Sequence, residues 1–472
     1  MPTASRKRST RWATSTALRE GSLGAPTRHP LDWRSADFND ETKLFAELER
    51  VFDICHGCRR CFSLCNAFPT LFDLVDATAA GEVHAVERRA YWQVVDHCYL
   101  CDMCFMTKCP YVPPHEWNVD FPHLMLRAKA VKHATGATRW RDAVLSATDA
   151  VGRLASIPVV VEAVNAVNRS PIGRIALDKV LGVHPDAVVP EYHADTLSRR
   201  VARRVAPVLE PRPVGETRGK VALFGTCYGE HNQPALGEDL IAVFEHNGIP
   251  VRLAGPSRCC GMPKLELGDL AAVAALEAHN VPLLAALVEE GWDLTSPIPS
   301  CTLMFKQELP LMFPDDPLVA RVRDAFYDPF EYLMLRHEGG ALRTDFAHAL
   351  GTIAYHVPCH LRVQNLGAKT REALALVPGT EVVAIERCSG HDGTYAVKRE
   401  SHASSMRIAA PVVERVAAAR AAHRSSDCPM AGQQIESGLR AAGAADAGAA
   451  DGSEAGTGPE HPLSLLRLAY GI

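Results

Sequence analysis

The chain has no run of eighteen apolar residues, the length that a membrane span requires. It has no GxGxxG fingerprint after a predicted strand and no P-loop, so neither a dinucleotide nor a nucleoside triphosphate site is expected. It lacks a strong charge of either sign: the formal net charge is -5 over 472 residues. No basic stripe interleaved with aromatics points to nucleic acid. No secretory signal peptide is recognisable, which argues against reading the cysteines as a disulfide framework. The remaining composition, 47% apolar and 22% charged, is that of an ordinary globular protein. Length suggests about three domains. The expected setting is a reducing one, the cytoplasm, with peripheral attachment to the cytoplasmic face of a membrane left open.

What the chain has in quantity is cysteine, 15 in all, and the spacing is that of metal ligands. Two runs stand near the amino end: Cys55-x2-Cys58-x2-Cys61-x3-Cys65, then Cys98-x2-Cys101-x2-Cys104-x4-Cys109-Pro110. Three thiolates spaced by three wrap one corner of a cubane, and in two-cluster ferredoxins the fourth cysteine of each run binds the other cluster. The expected ligand sets are therefore Cys55, Cys58, Cys61 and Cys109 for one 4Fe–4S cluster, and Cys98, Cys101, Cys104 and Cys65 for the second. Structural zinc, the alternative, favours isolated C-x2-C pairs set a dozen or more residues apart.

The rest of the chain divides as follows. Residues 1–36 are basic and read as a disordered tail, or else as a transit peptide. Residues 37–135 form the helical two-cluster domain, in which Phe68–Trp92 reads as helix and Phe62, Leu64, Phe68, Tyr99, Leu100, Phe105 and Tyr111 as core around the clusters. Residues 136–218 are a helical connector and a Pro- and Arg-rich linker; its apolar run 157–167 suits a buried connector helix, or a segment lying on a membrane or partner. From 219 the pattern turns to strand–helix alternation. Short apolar runs lead to Cys227, to Cys259-Cys260-Gly261 and to Cys301, with helices at Pro234–Asn247 and from Asp269 to about Glu290, broken at Pro282. Runs at Ile353–Val357 and Glu381–Glu386 then lead to Cys359 and to Cys388-Ser389-Gly390, and a long helix from Lys398 precedes Cys428. The separations are 132 residues from Cys227 to Cys359, 129 from Cys259 to Cys388 and 127 from Cys301 to Cys428. This is an internal duplication, residues 219–345 and 346–438, with each first-repeat cysteine at or just beyond the carboxyl end of a strand, where open α/β sheets bind ligands. Residues 439–460 are low-complexity and expected to be disordered; 461–472 is a tail that either docks as a short helix or stays free.

In this order of motifs the chain resembles the iron–sulfur subunits related to heterodisulfide reductase and to the C subunit of anaerobic glycerol-3-phosphate dehydrogenase. Those of glycolate oxidase and lactate-utilisation systems are similar too. These proteins join a two-cluster ferredoxin module to two cysteine-rich repeats called CCG domains. The fold implied is multidomain α plus α/β: a helical ferredoxin-type domain followed by a duplicated α/β CCG pair. The family repeat is a lone cysteine, Cys-Cys-Gly, then C-x2-C. Here Met304 replaces the last cysteine of the first repeat, Ser389 the second of the pair in the second, and Ala431 its last. Cys227, Cys259, Cys260 and Cys301 suffice for one further iron–sulfur cluster; Cys359, Cys388 and Cys428 offer three ligands. The other reading of the repeats is vestigial, with buried unligated thiols.

His360 and His391 follow the second-repeat cysteines and could bind iron or hydrogen-bond a sulfur, or simply be polar loop residues; Asp392 could relay protons, and Lys264 could offset cluster charge or make a surface ion pair. No catalytic residue is assigned. The function implied is an electron relay between a redox partner, a flavoprotein dehydrogenase for example, and an acceptor, quinone or thiol/disulfide. The rivals are a self-contained disulfide reductase acting at the CCG cluster and a non-redox iron–sulfur scaffold or sensor.

Overall fold

A computed structural model describes residues 26–444 and 459–472. The expected disordered tail and the low-complexity linker fall mostly on residues outside these. From residue 36 to 134 the regular structure is helical: Ala36–Asn39, Glu41–Cys58, Ala67–Asp76, Tyr91–His97, Met103–Thr107 and Phe121–Ala134, with two short 3-10 turns. Aspartates cap two of them: Asp40 accepts from the Lys43 amide and Asp120 from that of His123. Their apolar faces share one core, in which Leu44, Leu48, Phe52, Leu71, Val75, Val94 and Met125 are buried. The single helix expected over Phe68–Trp92 is not formed. The first helix stops at Asp76, and Gly81 takes a left-handed φ of 66°, a turn whose glycine the helical reading passed over.

Two parallel sheets follow. The first orders its strands β2-β1-β3-β4, where β1 is Val221–Leu223, β2 Val251–Leu253, β3 Asp293–Thr295 and β4 Phe326–Tyr327. The second is ordered β6-β5-β7, with β5 Gly351–His356, β6 Thr380–Ile385 and β7 His423–Ser426. In both, the first strand lies between the second and third, and every pairing is parallel. The duplicated cysteine pattern thus has a duplicated topology beneath it. The strand β1 is buried at every residue, as a parallel strand covered on both faces should be. The short strands β4 and β7 escaped the sequence reading, β7 because His-Arg-Ser-Ser has no apolar alternation.

The helix Leu270–Glu289 joins β2 to β3 and passes through Pro282 without the expected break. Its length and apolarity would suffice to cross a membrane, and it is the one single helix of this kind among the described residues. Here it packs on the helix Pro317–Ala325 and on β3; burial of Val281, Leu284 and Leu287 offsets the one backbone bond that proline removes.

The connector forms four helices, Trp140–Leu145, Thr148–Ala155, Pro158–Arg169 and Pro171–Leu181. They do not make a buried connector. Only Val161 and Asn165 of Pro158–Arg169 are buried, while Trp140 is 63% exposed, Val159 85% and Ile172 81%. The connector is bridged to the second repeat where Val183 pairs with Lys398. The Pro- and Arg-rich linker carries a helix, Leu197–Arg203, whose Leu197 is fully buried against Pro234–His246. The carboxyl-terminal segment forms the helix Pro462–Tyr470, docked on Pro234–His246 through Leu463, Leu465 and Leu466.

Candidate iron–sulfur site

The first cysteine run begins on a helix and leaves it. Cys55 and Cys58 occupy the last turn of Glu41–Cys58, which Arg59 closes in the left-handed conformation, its N–H 2.8 Å from the Cys55 carbonyl. Cys61 and Cys65 lie in the turns that follow. The second run is built on strained backbone: Leu100 and Asp102, on either side of Cys101, have φ of 56° and 60°, values that non-glycine residues hold only when their surroundings demand it. The demand is visible at Asp102. Its carboxylate is gripped by the buried Arg28 guanidinium, which also binds Asp120 at 2.9 Å and lies 3.7 Å from Glu308; Gln307 of the first repeat donates to it at 3.3 Å. Four elements distant in sequence therefore meet at the cysteine loop. Lys129 adds a buried ammonium that donates to the Cys98 carbonyl.

The thiols gather by charge proximity into two groups. Around Cys55 the acting neighbours are Cys109, Cys61 and Cys58; around Cys65 they are Cys98 and Cys101; around Cys104 they are Cys101 and Cys98, with Cys61 and Cys65 beyond. Burial, reinforced by neighbouring thiols, pushes Cys61 and Cys98 up to about 12. Desolvated sulfurs crowded in this way ionise only beside a positive centre, which is what an iron core supplies. Among the described residues no His, Cys, Asp or Glu group closes tightly enough around a point to hold a single metal ion. A polynuclear cluster does not ask for that, since its thiolates bind different irons.

In the first repeat the cysteines stand at the carboxyl ends of β1, β2 and β3. Cys227 opens the helix Cys227–His231, and Cys301 lies on Pro299–Leu303. Cys259 hydrogen-bonds Cys227 and Cys260, and Cys260 hydrogen-bonds Cys301, so all four expected residues form one chain of sulfurs. Those bonds, from Cys227 first, hold Cys259 well below the ordinary thiol range. The Gly261 N–H points at the Cys259 sulfur from 3.5 Å. Gly261 has a φ of 104°, which a side chain would not tolerate. Met304, where the C-x2-C motif would have its second cysteine, is fully buried.

The second repeat copies the turn, with Gly390 N–H 3.3 Å from the Cys388 sulfur, but sends its thiols elsewhere. Cys359 hydrogen-bonds Cys101 of the amino-terminal region as well as Cys388. The Tyr99 hydroxyl is 3.1 Å from the Cys388 sulfur. The bond from Cys359 brings Cys388 down to about 7. Cys428 has Asp392 and Asp427 as its acting charges and no cysteine among them. Cys359 and Cys388 thus adjoin the Cys65, Cys98, Cys101 and Cys104 group, while Cys428 stands apart from it. No sequence spacing signals this juxtaposition. Lys264 donates to Ser146 at 3.1 Å and lies 4.0 Å from Asp269, a connector contact rather than a cluster one.

Two cavities border these sulfurs. An open one of about 400 Å³ is lined by Cys65, Cys101, Cys359 and Cys388 together with Lys108, Arg362, Arg387 and Arg407. The other, about 370 Å³, lies between the repeats. Cys227, Cys260 and Cys301 reach it from one side, Cys359 and Cys428 from the other, and the connector helices roof it with Val144, Val151, Val164, Leu177 and Leu181.

The cysteine-rich domain model CCG matches residues 221–306 and 353–431, the two sheets with their cysteine edges. The C subunit of anaerobic glycerol-3-phosphate dehydrogenase from Escherichia coli K12 is 28% identical over 356 residues, 75% of this chain and 82% of that one. Lactate utilization protein A of Bacillus velezensis is 29% identical over 191 residues, 38% of this chain and 75% of its own length. The protein of that name from Bacillus cytotoxicus is 28% identical over 190 residues. The chain therefore carries two cysteine-rich CCG domains and is similar, over the stretches given, to the C subunit of anaerobic glycerol-3-phosphate dehydrogenase and to lactate utilization protein A.

Proposed function

We propose that this chain is the iron–sulfur electron-transfer subunit of an oxidoreductase. Residues 37–135 act as a ferredoxin-type domain, with Cys55, Cys58, Cys61 and Cys109 holding one 4Fe–4S cluster and Cys98, Cys101, Cys104 and Cys65 the other. Cys227, Cys259, Cys260 and Cys301 hold a further cluster. Such clusters supply one-electron storage at potentials set by their surroundings. The observation that carries the reading is the succession of sulfurs from the Cys55 group to the edge of the second repeat. The Cys55 group neighbours the Cys104 group through Cys61, and Cys101 touches Cys359 at the edge of the second repeat. The protein's own part is to hold these groups in order, to exclude water with Leu100, Met103, Phe105 and their neighbours, and to bind an acceptor beside the repeats.

The electron donor in this proposal is a separate protein, a flavoprotein dehydrogenase, as the relative's name suggests by describing it as one subunit of a dehydrogenase. The acceptor is a quinone bound in the apolar cavity between the repeats. The exposed apolar connector beside that cavity suits peripheral attachment to a membrane on the cytoplasmic side. Anaerobic purification with iron and sulfide analysis tests the cluster content, together with EPR of the reduced protein. About eight irons or more per chain are expected, and a lower count excludes two complete cubanes.

One observation favours a second reading, reduction of a disulfide or small thiol. The Cys359–Cys388 pair opens on the cavity rimmed by Arg362, Arg387 and Arg407, which fits an anionic thiol. Under this reading Cys388→Ser abolishes disulfide turnover with the amino-terminal EPR signals retained; under the relay reading it leaves electron transfer to a quinone in place.

A further inference from the structure

At the floor of the cavity between the repeats, the apolar lining gives way to a pair of acids. Glu266, on the helix Met262–Leu267 of the first repeat, hydrogen-bonds Asp392, in the loop after β6 of the second, and both line the cavity. The contact is built. Gly393 has a φ of 43°, and a Cβ there would fall 1.6 Å from the Glu266 carboxylate, so only glycine lets the carboxyl group settle against this loop. A second, independent feature points into the same space. His360 lines the cavity and is 8% exposed, yet its Nε2 has no hydrogen-bond partner; the nearest acid oxygen, Asp392 Oδ2, is 3.8 Å away. A buried imidazole nitrogen left unpaired beside a cavity is costly unless something enters that cavity to meet it.

We propose that the Glu266–Asp392 pair is the proton donor for an acceptor reduced in this cavity, which confines that acceptor to molecules that take up protons together with electrons. This rests on the electron-relay reading above and deepens it. For a quinone the balance is complete. Two electrons arrive from the reduced dehydrogenase partner, and two carboxyl O–H bonds break while two hydroxyl O–H bonds form on the acceptor. The hydroquinone leaves, and the carboxylates regain their protons from solvent.

The charges around the pair agree with this role. Burial raises Glu266 well above the ordinary carboxylate range, with repulsion from Asp392 adding to it, and burial lifts Asp392 to about 8. Burial thus favours the protonated form of both acids, as donation to a two-proton acceptor requires. The other groups facing the pair are Lys129 from the helix Phe121–Ala134, His360 after β5, Cys388 after β6, Cys428 after β7 and Asp102 of the amino-terminal loop. Lys129 and His360 favour the ionised acids; Cys388 and Asp102 oppose ionisation of Asp392.

The test compares two oxidants. The full-length protein with its clusters is reduced, freed of excess reductant and mixed anaerobically with menadione, which needs protons, or with ferricyanide, which takes one electron and no proton. Glu266→Gln and Asp392→Asn are each expected to slow menadione reduction on the order of 100-fold with ferricyanide reduction and iron content unchanged. Wild-type menadione reduction is expected to fall as the pH passes about 8. Independently of turnover, the infrared spectrum of the wild type should hold a carboxylic acid C=O component that titrates near pH 8 and that Asp392→Asn removes. Unchanged menadione rates in both variants overturn the proposal, as does the absence of that component. If a variant loses its iron, the wild-type infrared titration decides alone. A wild type that reduces neither oxidant overturns the relay reading instead, and this inference falls with it.

Discussion

Replacing Arg28 should detach one cysteine group and spare the other. The Arg28 guanidinium is buried and balances three carboxylates, Asp102, Asp120 and Glu308, with side-chain exposures of 5%, 20% and 6%. Arg28→Leu leaves those acids facing each other with only the His123 imidazole beside them, 3.3 Å from Asp120 and 3.6 Å from Glu308. Removing one partner of a buried pair costs about 3–5 kcal/mol, equivalent to roughly 100- to 1,000-fold or more in a local opening equilibrium. The cost falls on Asp102, whose left-handed backbone sets the loop between Cys101 and Cys104. The assay is iron transfer to a chelator, with EPR distinguishing the two amino-terminal clusters. The signal of the Cys65, Cys98, Cys101 and Cys104 group should vanish about 100-fold faster than in the wild type, while that of the Cys55 group persists. Arg28→Lys should fall between, since an ammonium cannot fork across two carboxylates. Equal loss of both signals at the wild-type rate would refute the role given to this network.

Cys65→Ser, a change in the first run, should remove the cluster proposed for the second run, and Cys109→Ser the converse; EPR spin counting that finds the same-run cluster lost refutes the proposed crossed ligation. Gly390→Ala should destabilise the second repeat by several kcal/mol, because the new Cβ would fall 2.1 Å from the Ser405 carbonyl oxygen and adds to a left-handed cost of about 1–2 kcal/mol; a thermal midpoint equal to the wild type would show that the turn relaxes. Asp328 caps the helix Pro329–Glu338, and burial raises it to about 7. The folded protein therefore holds a proton there that the unfolded chain has lost, from about pH 4 upward. Its contribution weakens the fold as pH rises toward 7 and then levels. Asp328→Asn should flatten that part of the stability profile, and an unchanged slope in denaturant titrations across this window would contradict the assignment.

Much of the plan is legible in the chain because it is carried by local signals. The duplicated cysteine offsets, the apolar runs preceding Cys227, Cys259 and Cys359, and the Cys-Cys-Gly turn all act within a few residues of themselves. They reappear as two parallel sheets of like strand order with cysteines on one edge. Where local and non-local forces compete, the reading falters. Pro282 signals a break that burial overrides, and the polar β7 is a strand because β5 lies beside it. The apolar connector run proves half-exposed because its helix packs mainly on the neighbouring connector helices Thr148–Ala155 and Pro171–Leu181, which cover only one face of it.

The sequence by itself determined how many thiols there are, their spacing, the repeat, and which members of each repeat are missing, since ligand spacing and hydrophobic period are properties of neighbouring residues. Only the tertiary structure decided which cysteines meet. Cys359 turns to Cys101 across 258 residues of chain, Arg28 reaches Asp102, and Glu266 meets Asp392 over a glycine. These partners come together because two sheets and a helical region bury their faces against one another, and no local periodicity encodes that packing.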